Sequence, residues 1–306
     1  MKTWLIAVLT VSIGSAIVPP GADGRTWRVN AAGTGDAPSI AAALDSCAAG
    51  DSVLVAAGNY QISSHLFIRE ERVTLVSEAG AKATVLEPAA TPIILVIAAD
   101  DAVIEGFTLH SMYISGGGTF QSGGRISNNV LRGSGECAMI FWLYGGMTIS
   151  GNCIYSYGSG IALSESSGFI FDHNTITACG TGLVLDGSYP WNTVRNNLIV
   201  GNDYGINLGG PVVGEISCNN VFGNSIANYL YGTDPTGTNG NISVDPQFCA
   251  VDPPASGNFL LQSDSPCAPG NHPDGAPCGL IGAYPVGCED VSVERASWGA
   301  IKSIYR

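Results

Sequence analysis

The stretch Ile126-Ser-Asn-Asn129-Val-Leu131 decides the fold, because it returns four times. The later copies are Ile149-Ser-Gly-Asn152-Cys-Ile154, Phe171-Asp-His-Asn174-Thr-Ile176, Val194-Arg-Asn-Asn197-Leu-Ile199 and Ile216-Ser-Cys-Asn219-Asn-Val221. Each reads apolar-x-x-Asn-x-apolar, and the asparagines lie 23, 22, 23 and 22 residues apart. An earlier copy, Ile104-Glu-Gly-Phe107-Thr-Leu109, places Phe107 in the Asn position, 22 residues before Asn129. A second element sits between these copies: Gly160-Ile-Ala-Leu163, Gly182-Leu-Val-Leu185 and Gly205-Ile-Asn-Leu208, with Ala138-Met-Ile-Phe141 as its earlier form. Its alternating apolar residues give each strand one buried face. Every repeat therefore holds at least two short strands separated by turns rich in Gly, Asn and Ser.

Short strands at a fixed period predict a solenoid of parallel strands. Stacked coils bring equivalent residues about 4.8 Å apart. Asn129, Asn152, Asn174, Asn197 and Asn219 would then form a ladder of amides hydrogen-bonded along the stack. Asn also tolerates the left-handed backbone of a sharp bend. These asparagines are read as structural, not as ligands.

Working outward, Thr34-Gly-Asp36-Ala-Pro38-Ser39 leads into the apolar turn Ile40-Ala-Ala-Ala-Leu44, with Ser39 as its N-cap. A short helix over the open end of the solenoid is expected, because a bare end exposes apolar core and unpaired strand edges. Further strands are predicted at residues 53–55, 73–76 and 93–97. The period gives about eight coils. The repeat domain spans 24–288, and 289–306 is a tail.

Trp27-Arg-Val29, Gly33-Thr-Gly, Ile40-Ala-Ala-Ala-Leu44, Gly50-Asp51, Val53-Leu-Val55 and Gly58-x-Tyr60 together resemble the N-terminal signature of right-handed parallel β-helix proteins of the pectate-lyase-like superfamily. The Asn repeats resemble that family's coils. The resemblance covers about residues 26 to 285 and implies an all-β, right-handed parallel β-helix with a short N-terminal capping helix. It is weak for activity, since the fold hosts lyases, hydrolases, epimerases, adhesins and exported proteins without known chemistry. Asn241-Ile-Ser-Val-Asp245-Pro-Gln-Phe248 resembles the closing segment of bacterial members. The tail resembles linkers that precede C-terminal sorting or anchoring domains, so it is either truncated or itself the signal.

The chain has 306 residues, a net charge of −13 and only 12% charged residues. That balance gives no electrostatic footprint for nucleic acid and disfavours anionic membranes. Lys2 followed by the apolar run at 4–18 and by Pro19-Pro20-Gly21 reads as a signal peptide at 1–23, the run falling short of the roughly 20 residues of a membrane span. An uncleaved anchor is the competing reading. A secreted or surface-attached bacterial protein, monomeric and without a membrane span after cleavage, is expected. Nine cysteines suit an oxidising compartment. Cys249, Cys267, Cys278 and Cys288 are read as staples of a closing segment, with at least one thiol left over and the pairing open.

Evidence for chemistry is thin. A polyuronate lyase needs an anion site, usually with Ca²⁺, and a basic residue. Asp172, His173 and Arg195 could form one on adjacent coils, although a surface Asp–Arg pair accounts for them more simply. A glycoside hydrolase needs two carboxyl groups about 5 Å or about 6.5–9.5 Å apart. Glu165 and Asp186 follow equivalent strands on adjacent coils and are the candidate catalytic pair. Trp142 and Tyr144 one coil earlier and Asn207 on the next are candidate ligand-binding residues, since sugar rings stack on aromatic faces and their hydroxyls need directional partners. A solvated strand end with an exposed Trp explains the same residues. Paired aspartates and a Gly-His-Gly turn, expected of β-helix polygalacturonases, are absent. His65, His110 and His272 read as isolated surface or turn residues. The loop Asp234-Pro-Thr-Gly-Thr-Asn-Gly-Asn241 could hold Ca²⁺ but offers a single carboxylate, so no metal or other cofactor is assigned. The reading that results is an exported protein that binds a polysaccharide or cell-surface glycan, with a hydrolase or lyase acting in an outer groove as the alternative.

Overall fold

A computed structural model describes residues 24–89, 93–117, 121–185, 191–209 and 214–288. The expected signal peptide, the tail at 289–306 and Asp186 lie outside the described residues.

Each coil is three short strands joined by tight bends. One coil runs through Val103–Glu105, Thr108–His110 and Met112–Gly117, and the next through Arg125–Ser127, Val130–Arg132 and Cys137–Trp142. Stacked, they form three parallel sheets of nine, eight and eight strands, about eight turns in all. The first sheet begins with Thr26–Val29, the second with Gly58–Ile62 and the third with Leu66–Ile68. The register matches the sequence alignment: Ile126 lies beside Ile149, Ile149 beside Phe171, Phe171 beside Val194 and Val194 beside Ile216. The motif therefore spans the first-to-second-sheet bend. Its first apolar residue points into the core from the first sheet, its last from the second, and the Asn sits between.

The Asn column is a continuous buried ladder. Nδ2 of Asn129 donates to Oδ1 of Asn152 at 3.1 Å, and the pattern continues through Asn174, Asn197 and Asn219 to Asn241 at 2.9–3.0 Å. Each Oδ1 also accepts the backbone N–H of the ladder residue one coil earlier, beginning with Phe107. That explains why Phe107 can hold the first position: only its N–H is required, and its ring fills the core. Asn241 is a sixth rung, 22 residues after Asn219. The left-handed backbone falls one residue earlier than the sequence reading placed it. Asn128, His173, Asn196 and Cys218 have φ between 54° and 56°, and Gly106 and Gly151 take the same position at 81° and 64°. The ladder asparagines are kept for their amides, not for the bend.

Inside, alternate side chains meet in stacked columns. Phe141, Phe169 and Phe171 pile up with centroid separations of 5.3 and 5.8 Å. The helix Ile40–Ser46 buries Ile40, Ala43 and Leu44 over the N-terminal opening, with Ser39 Oγ accepting the Ala42 N–H.

The closing segment does more than end the solenoid. From Ile242 it turns back along the outer face of the second sheet as a strap and builds a second core with outward-facing Leu198 and Val200. Phe259 packs on Tyr155 and Cys153, and the Ala283 N–H donates to Thr175 Oγ1. Two disulfides hold it, Cys218–Cys278 and Cys249–Cys288. This corrects the grouping of cysteines from sequence. The partner of Cys278 is Cys218 in an Asn repeat, whereas Cys267 remains a buried thiol beside Asn220. Cys47, Cys137, Cys153 and Cys179 are also free, so five thiols are left over, in keeping with the expectation of at least one. No helix among the described residues is long and apolar enough to cross a membrane.

Candidate functional site on the outer face of the third sheet

Strand alternation turns every second residue of the third sheet outward. The register links Phe67, Val96, Ser115, Ile140, Ala162, Val184 and Asn207 into one outer row across seven coils. Most of it is apolar and only half-buried, with Ile140 exposed. An apolar row facing water is the kind of surface that marks a binding site. Where the second sheet bends into the third, a cavity of about 570 Å³ opens beside this row. Its walls include Tyr113, Ile140 and Tyr157, and its polar groups include Ser115, Ser134 and Glu136. Tyr157 is anchored by donating to the Met112 carbonyl at 2.7 Å. No Lys, Arg or His lines it among the described residues.

At the far end of the same strand is Trp142, 54% exposed and paired in register with Ser164 one coil on. Glu165 follows, exposed at the bend with φ 48°. Trp191, which sequence reasoning missed, is 78% exposed at the same bend with φ 90°. The offset of the first-sheet strands puts it where Gly168 and Gly146 stand on the two preceding coils. Those glycines also have positive φ. A Trp held in a backbone shape that glycine serves elsewhere is a strained, exposed aromatic, and such outliers cluster at functional sites.

The structure separates the other candidates. Tyr144 does not stand beside Trp142 on the surface. It is 2% exposed, packs on Phe141 and Phe169, and donates its hydroxyl to the Ala99 and Gly123 carbonyls. The bend after Leu143 turns it inward, so it shapes the core. Asn207 is half-buried and its Oδ1 accepts the Gly209 N–H, which spends that oxygen on its own turn. Glu165 is at the surface, and its proposed partner Asp186 lies outside the described residues.

Asp172, His173 and Arg195 do come together. Asp172 lies 2.7 Å from His173 Nδ1 and 3.2 Å from Arg195 Nη2, and Asn196 Nδ2 donates to it at 3.0 Å. Partial burial pushes the Asp172 carboxyl up, but the bonds from His173, Asn196 and Arg195 outweigh it and bring it to about 2. The cluster sits on the first sheet, away from the cavity, and its charges satisfy one another. Arg125 is likewise paired with Glu105 at 2.7 Å. The histidines read as isolated are not. His65 accepts from the Ile94 N–H, His272 meets the Gly240 carbonyl, and His110 lies 3.2 Å from Glu87. In the candidate Ca²⁺ loop, Asp234 accepts the Thr236 N–H and Asn241 belongs to the ladder. Among the described residues, no three His, Cys, Asp or Glu side chains are grouped to hold a metal.

A family model described as a right-handed beta helix region matches residues 89–221, the span that carries four of the ladder asparagines and Asn219 as well. No curated protein matches the chain. With that match and three stacked parallel sheets joined by a buried Asn ladder, the chain is a parallel β-helix repeat protein.

Proposed function

We propose that this is an exported glycan-binding protein that seats a polysaccharide or cell-surface glycan along the outer face of its third sheet. The observation that carries the reading is the 570 Å³ cavity beside an apolar row, with exposed Trp142 two residues from Ile140 on the same strand. Aromatic and aliphatic surface stacks on sugar rings, while the hydroxyls of the cavity serinés' side chains and the Glu136 carboxylate offer directional partners. Trp191, two coils beyond, would extend the platform by about 10 Å along the stack. The lack of basic groups in the cavity suits a neutral sugar better than an anionic one. Two disulfides and the apolar N-terminal run support export. The reading asks for no cofactor and works with a single chain.

The test is retention of the mature protein on a panel of neutral and uronic polysaccharides, with and without Ca²⁺, while following reducing ends and unsaturated products. Retention on at least one polysaccharide is expected, weakened about tenfold by Trp142→Ala or Tyr113→Ala. No retention on any, or retention indifferent to both substitutions, would overturn it. New chain ends abolished by Glu165→Gln would replace binding with hydrolysis.

A further inference from the structure

The strap leaves part of the second sheet bare. Beneath it the outer faces of Cys153 and Tyr155 are sealed by Phe259. One strand earlier the strap still reaches Val130, but Arg132 at the other end of that strand is exposed, and a row of functional side chains begins there. Register places Gln61 beside Glu87, His110 beside Arg132 and Arg132 beside Tyr155. Contact joins the two halves, with His110 Nδ1 3.2 Å from Glu87 Oε1 and Gln61 Nε2 donating to Glu87 Oε2 at 3.2 Å. Five polar groups thus stand in line on successive coils.

Arg132 is the unusual member. Arg28, Arg69, Arg72, Arg125 and Arg195 each meet a carboxylate, and Arg25 lies over the Trp27 ring at 3.5 Å. Arg132 is exposed and forms no ion pair among the described residues, in a chain of net charge −13. On the next coil, register sets Tyr155 directly beside it. Glu87, on the far side of His110, accepts from Gln61, lies 3.2 Å from His110 and acts on Arg132 only through space, without an ion pair. Two residues back along the same strand, Val130 borders a second cavity of about 170 Å³ between the coils and the strap. Lys82 and the strap residue Tyr284 line it, and Lys82 also forms no ion pair among the described residues. Two cations without an ion pair among the described residues therefore lie on this face, Arg132 on the strand of Val130 and Lys82 across the cavity from it, with Tyr284 of the strap as the aromatic wall.

We propose that this ledge is a second binding site, separate from the third-sheet groove, for a ligand bearing an oxyanion: a carboxylate, a sulfate ester or a phosphate ester. Arg132 supplies the fork of parallel N–H donors that matches two oxygens of such a group. Tyr155 stands beside Arg132 in register on the next coil, and Lys82 adds a second positive charge from the cavity side. The site does not depend on the glycan reading.

The experiment titrates the full mature chain with inorganic sulfate, inorganic phosphate and glucuronate at constant ionic strength, following the arginine Nε–H resonances. At least one anion should shift the Arg132 resonance saturably and leave those of Arg125 and Arg195 in place. Which anion does so identifies the source of the oxyanion. Arg132→Gln, an exposed change with an unaltered melting curve as its folding control, should weaken binding about tenfold or more. Arg132→Lys should recover only part of it, and Lys82→Gln should weaken it less. The proposal falls if no anion moves Arg132, if all arginines move together, or if Arg132→Gln binds as tightly as the parent.

Discussion

Asn174→Ala takes one rung from the middle of the ladder. Asn174 Oδ1 accepts from both the backbone N–H and Nδ2 of Asn152, and its Nδ2 donates to Asn197 Oδ1 and the Ile149 carbonyl. Alanine leaves the Asn152 backbone N–H without its acceptor, while Asn152 Nδ2 keeps the Ile126 and Ser150 carbonyls, in a place where Asn152 and Asn174 are both 0% exposed. A buried polar group left unpaired costs about 1–3 kcal/mol, so the expected loss is about 1–3 kcal/mol. Asn59→Ala, on the exposed outer face of the second sheet, should stay within about 0.5 kcal/mol. Equilibrium urea unfolding with the disulfides intact reads the difference from the shift in midpoint at constant slope. Hydrogen exchange should show the Asn152 amide losing protection before its neighbours. A loss below about 1 kcal/mol, or one no larger than that of Asn59→Ala, would refute the claim that the amide column carries stability.

Three further outcomes follow from the same structure. Cys218→Ser with Cys278→Ser opens a loop of 60 residues; in the chain-entropy model the disulfide contributes about 4 kcal/mol, so the melting temperature should fall, and an unchanged melt would mean that the strap holds without it. Asp172 has its carboxyl lowered from 3.8 to about 2; the stability it contributes is complete above pH 3.8 and lost as pH falls toward 2. Asp172→Asn should flatten that part of the acid unfolding curve, and an unchanged curve would show the pairing to be idle. Burial pushes the Cys137 thiol up to about 12 and those of Cys179 and Cys267 to about 11. Iodoacetamide at pH 8 should therefore reach the buried Cys153, Cys179 and Cys267 only after unfolding, and rapid labelling of these three in the native protein would contradict the burial.

The solenoid was readable because its cause is periodic. One residue type recurring every 22 to 23 positions has few explanations besides a stacked rung, and Asn129 to Asn219 fell where the alignment put them. The strap was not readable, since residues 242–288 repeat nothing and their partners, Tyr155, Thr175 and Leu198, already belong to the repeat. The surface sites were only half visible. Trp142 was found as an aromatic at a strand end, but Tyr144, two residues on, obeys the bend and turns inward. Trp191 could have been caught as the residue standing where two earlier coils have glycine. The line from Gln61 to Tyr155 joins residues 94 positions apart, and it becomes visible only when the register of five strands is known.

The strap also works as a gauge of length. Deleting 108–129, one whole period ahead of it, would shorten the rod by about 4.8 Å and leave Phe107 directly before a residue equivalent to its old neighbour, facing Asn152 instead of Asn129. Beneath the strap the same cut behaves differently. Phe259 is seated on Tyr155, Ala283 on Thr175, Gly282 on the Asn196 carbonyl and Val244 on Asn220, four successive coils at fixed positions. Removing 153–174 closes the ladder but takes away the seat of Phe259. The strap thus holds the C-terminal half to a fixed number of turns, a constraint that it does not place on the coils at the N-terminal end.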